Sequence, residues 1–540
     1  MPKTINVLDW IVIAIYITAI FGIALSMSKT LKKRDDVFLA GRSMKRWPMA
    51  LSMYMALFST NSFLGVIGWL NREGGTIWIG LQNIGMMMVV PFVVWLYPTL
   101  FYRLNITTAY EYLERRYNYT VRKLGALLFL GARIMWLGTM LYSASLLVTS
   151  MGGFTVSQGY ENGQVAAIII IGFIGASFGA LGGMRAVIWT DVIQFFILMG
   201  SVVLMVLIGI SSAGGIGQVV DIANQEGKFL IPQVFNLTDD LCIVSALLLG
   251  MVSMLSSSGS DQVVIQTYLT AKSDKEAKKS LILQGFFVKP LSLIFPVLGV
   301  IIFVFYRMNP EIAASMRIPD DSLPVFITNV LPAGMRGLAV AAILSALFTS
   351  LCSGMTALSA VVQVDFIQRI RKKILIDSSS VLLGRSLIIL WGVVIIICAI
   401  LIMKLGTSNN IIQILNIVMY PFSGVLLGLF LLGLLTKRAN GQGALTGVIT
   451  GFVITTFVPL SNFLFSNILN DRPLNSSGFI SFIEEISKTS NFYYGALGVL
   501  MTVLVGYMAS LLYKPIPESK LAGLVRTLKT DSFIQPPEHK

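Results

Sequence analysis

Apolar residues run in long blocks along this chain rather than at regular intervals. Stretches such as 7–27 and 192–210 hold few polar side chains. A helix of about 20 residues crosses the ~30 Å hydrocarbon layer of a bilayer. On that criterion the runs 7–27, 48–70, 76–100, 125–150, 163–183, 187–210, 241–262, 281–306, 335–362, 382–404, 411–433, 441–463 and 492–513 predict about thirteen transmembrane helices. Periodicity adds little, because a helix buried in a membrane is apolar on every face.

Two of these runs are interrupted. The second carries Ser59, Thr60, Asn61 and Ser62 at mid-depth, and the seventh carries Ser256, Ser257, Ser258, Gly259 and Ser260. Polar breaks in corresponding spans of two halves mark the discontinuous helices of inverted-repeat transporters. Numbered from the second span, the breaks fall in the first and sixth helices. The expected fold is an all-α membrane protein with a five-plus-five inverted repeat. Residues 1–28 form an extra N-terminal helix and 47–212 the first repeat, followed by an external loop at 213–240. Residues 241–434 form the second repeat, 435–513 two C-terminal helices with an external loop, and 514–540 a cytoplasmic tail.

Composition supports this class. Hydrophobic residues make up 55% of the chain and charged residues 12%, whereas soluble proteins carry about 25% charged residues. The net charge of +14 would suit nucleic acid, but the basic residues stand in short loops. Lys29–Arg46, Arg103–Lys123, Lys272–Lys279, Arg369–Lys373 and Lys437–Arg438 all fall on one side as the spans alternate. Acidic residues such as Asp221, Glu226, Glu311 and Glu484 fall on the other. Basic loops face the cytoplasm, so the N-terminus is expected outside and the C-terminus inside. The first run is long enough to span and lacks a basic leader and a cleavage site, so it reads as a retained helix. The expected location is a plasma membrane or a bacterial inner membrane. The expected partners are the bilayer, sodium and a small solute, with no nucleic acid. A monomer suffices, and the oligomeric state stays open.

The chemistry is narrow. His539 is the only histidine, and Cys242, Cys352 and Cys398 are scattered through apolar runs. That excludes histidine catalysis in the membrane, a disulfide framework and a metal cluster. No phosphate-binding GxxxxGK[ST] motif occurs, so uphill transport would draw on an ion gradient. Neither an enzyme nor a cofactor is expected, apart from the coupling ion.

Four places carry candidate chemistry. Asp191 lies about two turns inside an apolar helix, where a carboxylate costs about 2.5–3.5 kcal/mol. It meets either Arg185 in an ion pair or a transported cation. The stretch Ala346–Ser353 offers Thr349, Ser350 and Ser353 as neutral oxygens for sodium, with carbonyls freed by a helix break supplying the rest. The ordinary alternative is that these hydroxyls bond carbonyls one turn back in their own helix. Arg133 could hold a solute carboxylate through two parallel hydrogen bonds, or pair with a helix end or reach the inner face. Asp261 and Gln262 suit a gate or a helix-end hydrogen bond.

Four stretches, Ala40–Ser52, Gly182–Gln194, Asp261–Ser273 and Ala346–Ser353, resemble the sodium:solute symporter family. The resemblance runs in order across residues 7–513. It implies alternating access and a sodium site made of the carbonyls of Met55, Phe58 and Ala346 with the hydroxyls of Thr349 and Ser350. Members with a second sodium use an aspartate matching Asp191 with residues matching Thr349, Cys352 and Ser353. A thiol is a poor sodium ligand, so one sodium is expected, with Asp191 a second-site or relay residue. The solute pocket implied comprises Ser59, Thr60, Asn61, Ser62, Gln82, Arg133 and Ser257. Arg133 falls near the position where sialic acid members hold a carboxylate. Sugar members place a histidine at the position of Ser62 and aromatic residues at Ser256–Ser258. A carboxylate-bearing solute (sialic acid, a monocarboxylate or an amino acid) is therefore expected ahead of a sugar or polyol. A uniporter or channel on the same scaffold is the remaining alternative.

Overall fold

The computed structural model describes residues 6–28, 34–58, 60–151, 160–239, 241–316, 318–371, 377–404, 411–467 and 488–526. Ser59, most of the 464–491 loop and the end of the tail lie outside them.

The chain is helical throughout its described length apart from connectors. The principal helices in chain order are α1 (Val7–Ser28), α2 (Arg46–Leu57), α3 (Thr60–Asn71), α4 (Tyr119–Met151), α5 (Tyr160–Ser212), α6 (Ile243–Gly259) and α7 (Gln262–Leu269). They continue as α8 (Asp274–Leu283), α9 (Ile294–Met308), α10 (Met335–Val361), α11 (Asp377–Lys404), α12 (Ile411–Leu435), α13 (Gly441–Asn467) and α14 (Tyr494–Leu511).

Among the described residues, nine helical stretches are long and apolar enough to cross a membrane, or eleven with the two bent pairs included. The expected spans 163–183 and 187–210 both lie in α5, whose helical course is interrupted at Gly183 with φ 60° and ψ 179°. That conformation is open to glycine alone. The expected span 411–433 lies within α12.

The chain divides into two compact units. The first comprises residues 1–83, 133–231 and 266–415, the second residues 84–132, 232–265 and 416–540. The first is built around α10, which is buried along nearly its whole length. Its sequence explains this. Ala341, Ala342, Ser345, Ala346, Ser350, Ser353 and Gly354 are small, and small side chains let membrane helices approach closely. At Gly337 of α10, an added Cβ would stand 2.5 Å from the Asp9 carbonyl oxygen of α1.

The second unit closes its C-terminal pair in the same way. Gly443, Gly447 and Gly451 of α13 recur every fourth residue and meet Gly498, Thr502 and Gly506 of α14. A Cβ on Gly447 would stand 2.4 Å from the Thr502 carbonyl oxygen. Overpacking of this kind costs about 1–3 kcal/mol. Gly447→Leu is therefore expected to lower the melting temperature of the purified protein by several degrees. An unchanged melting curve would show that the two helices do not depend on this contact.

Candidate functional site

The site begins where α2 ends. Phe58 leaves the helix with φ −79° and ψ 116°, an extended conformation, and the chain re-enters helix at Thr60. The two halves bend by 53°. An extended residue at a helix end cannot keep the i→i−4 ladder running, so carbonyls of the last turn lose their helical partners. This break stands where the polar run at 59–62 predicts it.

Helix α10 faces this break. Six hydroxyls lie along it, and four follow the ordinary pattern. Ser345 donates to the Ala341 carbonyl, Ser353 to Thr349, Thr356 to Cys352 and Ser359 to Met355, each at 2.7 Å. Thr349 and Ser350 do not. Thr349 donates to the side-chain oxygen of Gln194 on α5. The Ser350 hydroxyl lies 3.4 Å from the Ala56 carbonyl oxygen and 3.5 Å from that of Phe58. These separations exceed the 2.7–2.8 Å usual for hydroxyl hydrogen bonds. They match neighbouring oxygens around a cation of calcium-like radius. With metal–oxygen bonds of about 2.3–2.6 Å, cis ligands stand about 3.3–3.7 Å apart. Ala346, one turn before Ser350, is fully buried. Ser350 reaches the carbonyls of Ala56 and Phe58, which adds Ala56 to the expected Met55 and Phe58. The Phe58 amide still bonds the Tyr54 carbonyl, so the ladder runs up to that bond and opens beyond it.

Asp191 is buried on α5. Its expected structural partner is absent, since Arg185 is exposed and no ion pair joins the two. One carboxylate oxygen accepts from the Ser52 hydroxyl of α2 at 2.5 Å, and the other has no hydrogen-bond partner. The remaining residues of the implied second cation site are occupied otherwise. Ser353 bonds its own helix, and the Cys352 thiol faces the Gly175 carbonyl at 3.6 Å. Asp191 therefore bridges α5 to the broken helix.

The other expected residues are distributed over both units. Arg133 is buried in the first unit and packs against α10. Its Nε would stand 3.0 Å from a Cβ on Gly354, just beyond Ser353 in sequence. Gln82 is half-buried in the same unit. Thr60, Asn61 and Ser62 open α3. Ser257 lies in the second unit, where its hydroxyl bonds the Met254 carbonyl at 3.2 Å. Ser260 bonds the Ser256 carbonyl at 3.0 Å, whereas the Ser256 hydroxyl reaches the Ser423 carbonyl of α12 at 3.3 Å. Helix α6 runs through Gly259 and breaks at Ser260 and Asp261, at the far end of the expected stretch 256–260. It bends by 54° there. Asp261 starts α7 by accepting the Val263 amide at 2.8 Å. Gln262 is fully buried and double-bonded to one loop. It donates to the Thr107 carbonyl at 2.8 Å and accepts from the Ala109 amide at 2.9 Å. Of the two readings for Asp261 and Gln262, helix-end anchoring is the one the geometry carries.

Gln194, Ser52 and Ala56 were not expected. Gln194 follows Asp191 by one helical turn on the same face, and that spacing was the available signal. Among the described residues no cluster of histidine, cysteine and carboxylate side chains could hold a metal.

A broken helix facing a buried, small-residue helix, with a second broken helix in the chain, is the mark of an ion-coupled secondary transporter of the inverted-repeat class. Comparison with known proteins makes this specific. The sodium:solute symporter family model matches residues 37–451, and the chain belongs to that family. It is 26% identical to a sodium/sialic acid symporter of Aliivibrio fischeri over 95% of this chain and 94% of the relative. It is 27% identical to the human sodium/iodide cotransporter, over 91% of this chain and 81% of that one. A solved sodium-coupled sialic acid symporter in a substrate-bound, outward-open state superposes with a TM-score of 0.80 at 25% identity. That match covers 94% of this chain and 99% of the other. The protein is a sodium-coupled symporter and not an enzyme.

Proposed function

We propose that sodium binds among the carbonyls of Met55, Phe58 and Ala346, with that of Ala56 beside them, and the hydroxyls of Thr349 and Ser350. The observation that carries this reading is the behaviour of the α10 hydroxyls. Thr349 and Ser350 alone turn away from their own backbone, and Ser350 turns to the opened end of α2. Sodium ties the two helices together and so favours one state of an alternating-access cycle. A ligand shifts such an equilibrium only through its differential affinity for the two states. Asp191 serves as a relay between the ion site and Ser52. One sodium per cycle follows from the other engagements of Cys352 and Ser353.

The solute in this reading bears a carboxylate, and Arg133 holds it. Support comes from the buried guanidinium beside α10 and from the sialic acid symporters among the relatives. Lysine cannot reproduce the planar two-bond fork. A hydrogen bond to a charged group contributes about 1.5–3 kcal/mol. Arg133→Lys should therefore raise the KM for a carboxylate solute about tenfold or more, with sodium half-saturation unchanged. Unaltered uptake kinetics in this variant would transfer the assignment to a neutral sugar or polyol. The repeat boundaries 47–212 and 241–434, the external N-terminus and the plasma or inner membrane complete the proposal, supported by the placement of basic loops.

A further inference from the structure

Helix α1 stands outside the ten helices of the repeat, yet it is joined to the ion-binding helix at two levels. Its buried residues are Asp9, Ile13, Tyr16, Ile20 and Ala24, one stripe along the helix. The two polar members of that stripe both serve α10. Asp9 accepts the Gly334 amide at 2.7 Å and the Gly337 amide at 3.0 Å, and so caps the start of α10. Tyr16, two turns on, accepts from the Gln194 side-chain amide at 3.0 Å. Gln194 in turn accepts the Thr349 proton.

The direction of these bonds matters. A neutral hydroxyl that ligates a cation must turn its proton away and its lone pairs inward. Gln194 can take that proton only with its oxygen toward Thr349. With the amide flipped, its NH₂ would face Thr349 and drive the hydroxyl proton toward the ion. Tyr16 sets which way the amide lies. Its oxygen takes the Gln194 N–H at 3.0 Å, which leaves the Gln194 oxygen toward Thr349. The donors in the chain Thr349–Gln194–Tyr16 point the same way.

We infer that Tyr16 is a positioning residue of the sodium site: it fixes the Gln194 amide, which turns the Thr349 lone pairs toward the ion. The extra N-terminal helix is therefore part of the coupling machinery. This inference rests on the sodium site proposed above.

The test measures sodium-dependent thermal stabilisation and uptake of the full-length protein. Variants are Tyr16→Phe, Gln194→Met, the pair together, and Ser350→Ala. Tyr16→Phe keeps the ring and removes only the hydroxyl. Sodium half-saturation should rise about threefold to tenfold, with the solute KM at saturating sodium within twofold of the parent. The pair should be no worse than Gln194→Met alone, because both act through one chain. A purely structural tyrosine would lower the melting temperature without sodium and leave the sodium titration unmoved. That result, or additive effects in the pair, overturns the inference while a damaged Ser350→Ala leaves the site intact. A normal sodium response in Ser350→Ala overturns the site itself.

Discussion

Ser350→Ala and Thr349→Ala each raise the sodium concentration needed for half-maximal uptake by about tenfold to a hundredfold. The size follows from the loss of one oxygen facing a buried cation, comparable to a hydrogen bond to a charged group at about 1.5–3 kcal/mol. Ser350 should show the larger effect. It is the side chain that meets the opened end of α2, so its loss also loosens the ion's grip on the broken helix. Thr349→Ser keeps the oxygen and should recover most of the affinity. Ser353→Ala and Thr356→Ala serve as controls, because those hydroxyls bond their own helix. They should stay within twofold of the parent. Equal losses at all four positions would mean that the helix, not the ion site, had been damaged.

The second large effect is expected at Asp191. Asparagine keeps an oxygen for the Ser52 hydroxyl and removes the charge. A unit charge several ångströms from a cation contributes about 2 kcal/mol at an effective dielectric near 20. Asp191→Asn should therefore weaken sodium binding about thirtyfold. It should also leave the sodium-free protein at least as stable as the parent. A buried carboxylate with one unpaired oxygen and no ion pair is a cost in the absence of sodium, and the amide reduces it. Opposite changes in sodium affinity and sodium-free stability distinguish an ion-site carboxylate from a structural one. A drop in sodium-free melting temperature with unchanged sodium affinity would remove Asp191 from the site.

The membrane class, the two broken helices and the hydroxyl pair Thr349 and Ser350, which the structure turns away from their own backbone, were legible in the sequence. Long apolar runs and polar interruptions are properties of composition, and they survive without knowledge of packing. Register at the breaks was less accessible. The polar stretch 256–260 marks the second break, but the backbone leaves the helix only at its far end, Ser260. There Asp261 can start the next helix. The Ala56 carbonyl joins the expected Met55 and Phe58 because the extended backbone at Phe58 opens the last turn. The boundary expected between the spans 163–183 and 187–210 stands at Gly183, whose backbone leaves the helix. Tyr16 was hidden for a different reason. Helix α1 reads as an addition to the repeat, and its two buried polar residues acquire meaning only against α10.

The central claim is that the opened end of α2 and two hydroxyls of α10 hold sodium. Equilibrium binding of radiolabelled sodium to the purified protein tests it without reference to the solute. Saturable binding in the parent that falls at least tenfold in affinity in Ser350→Ala, with Ser353→Ala like the parent, is the expected result. Undiminished sodium binding in Ser350→Ala would contradict the account.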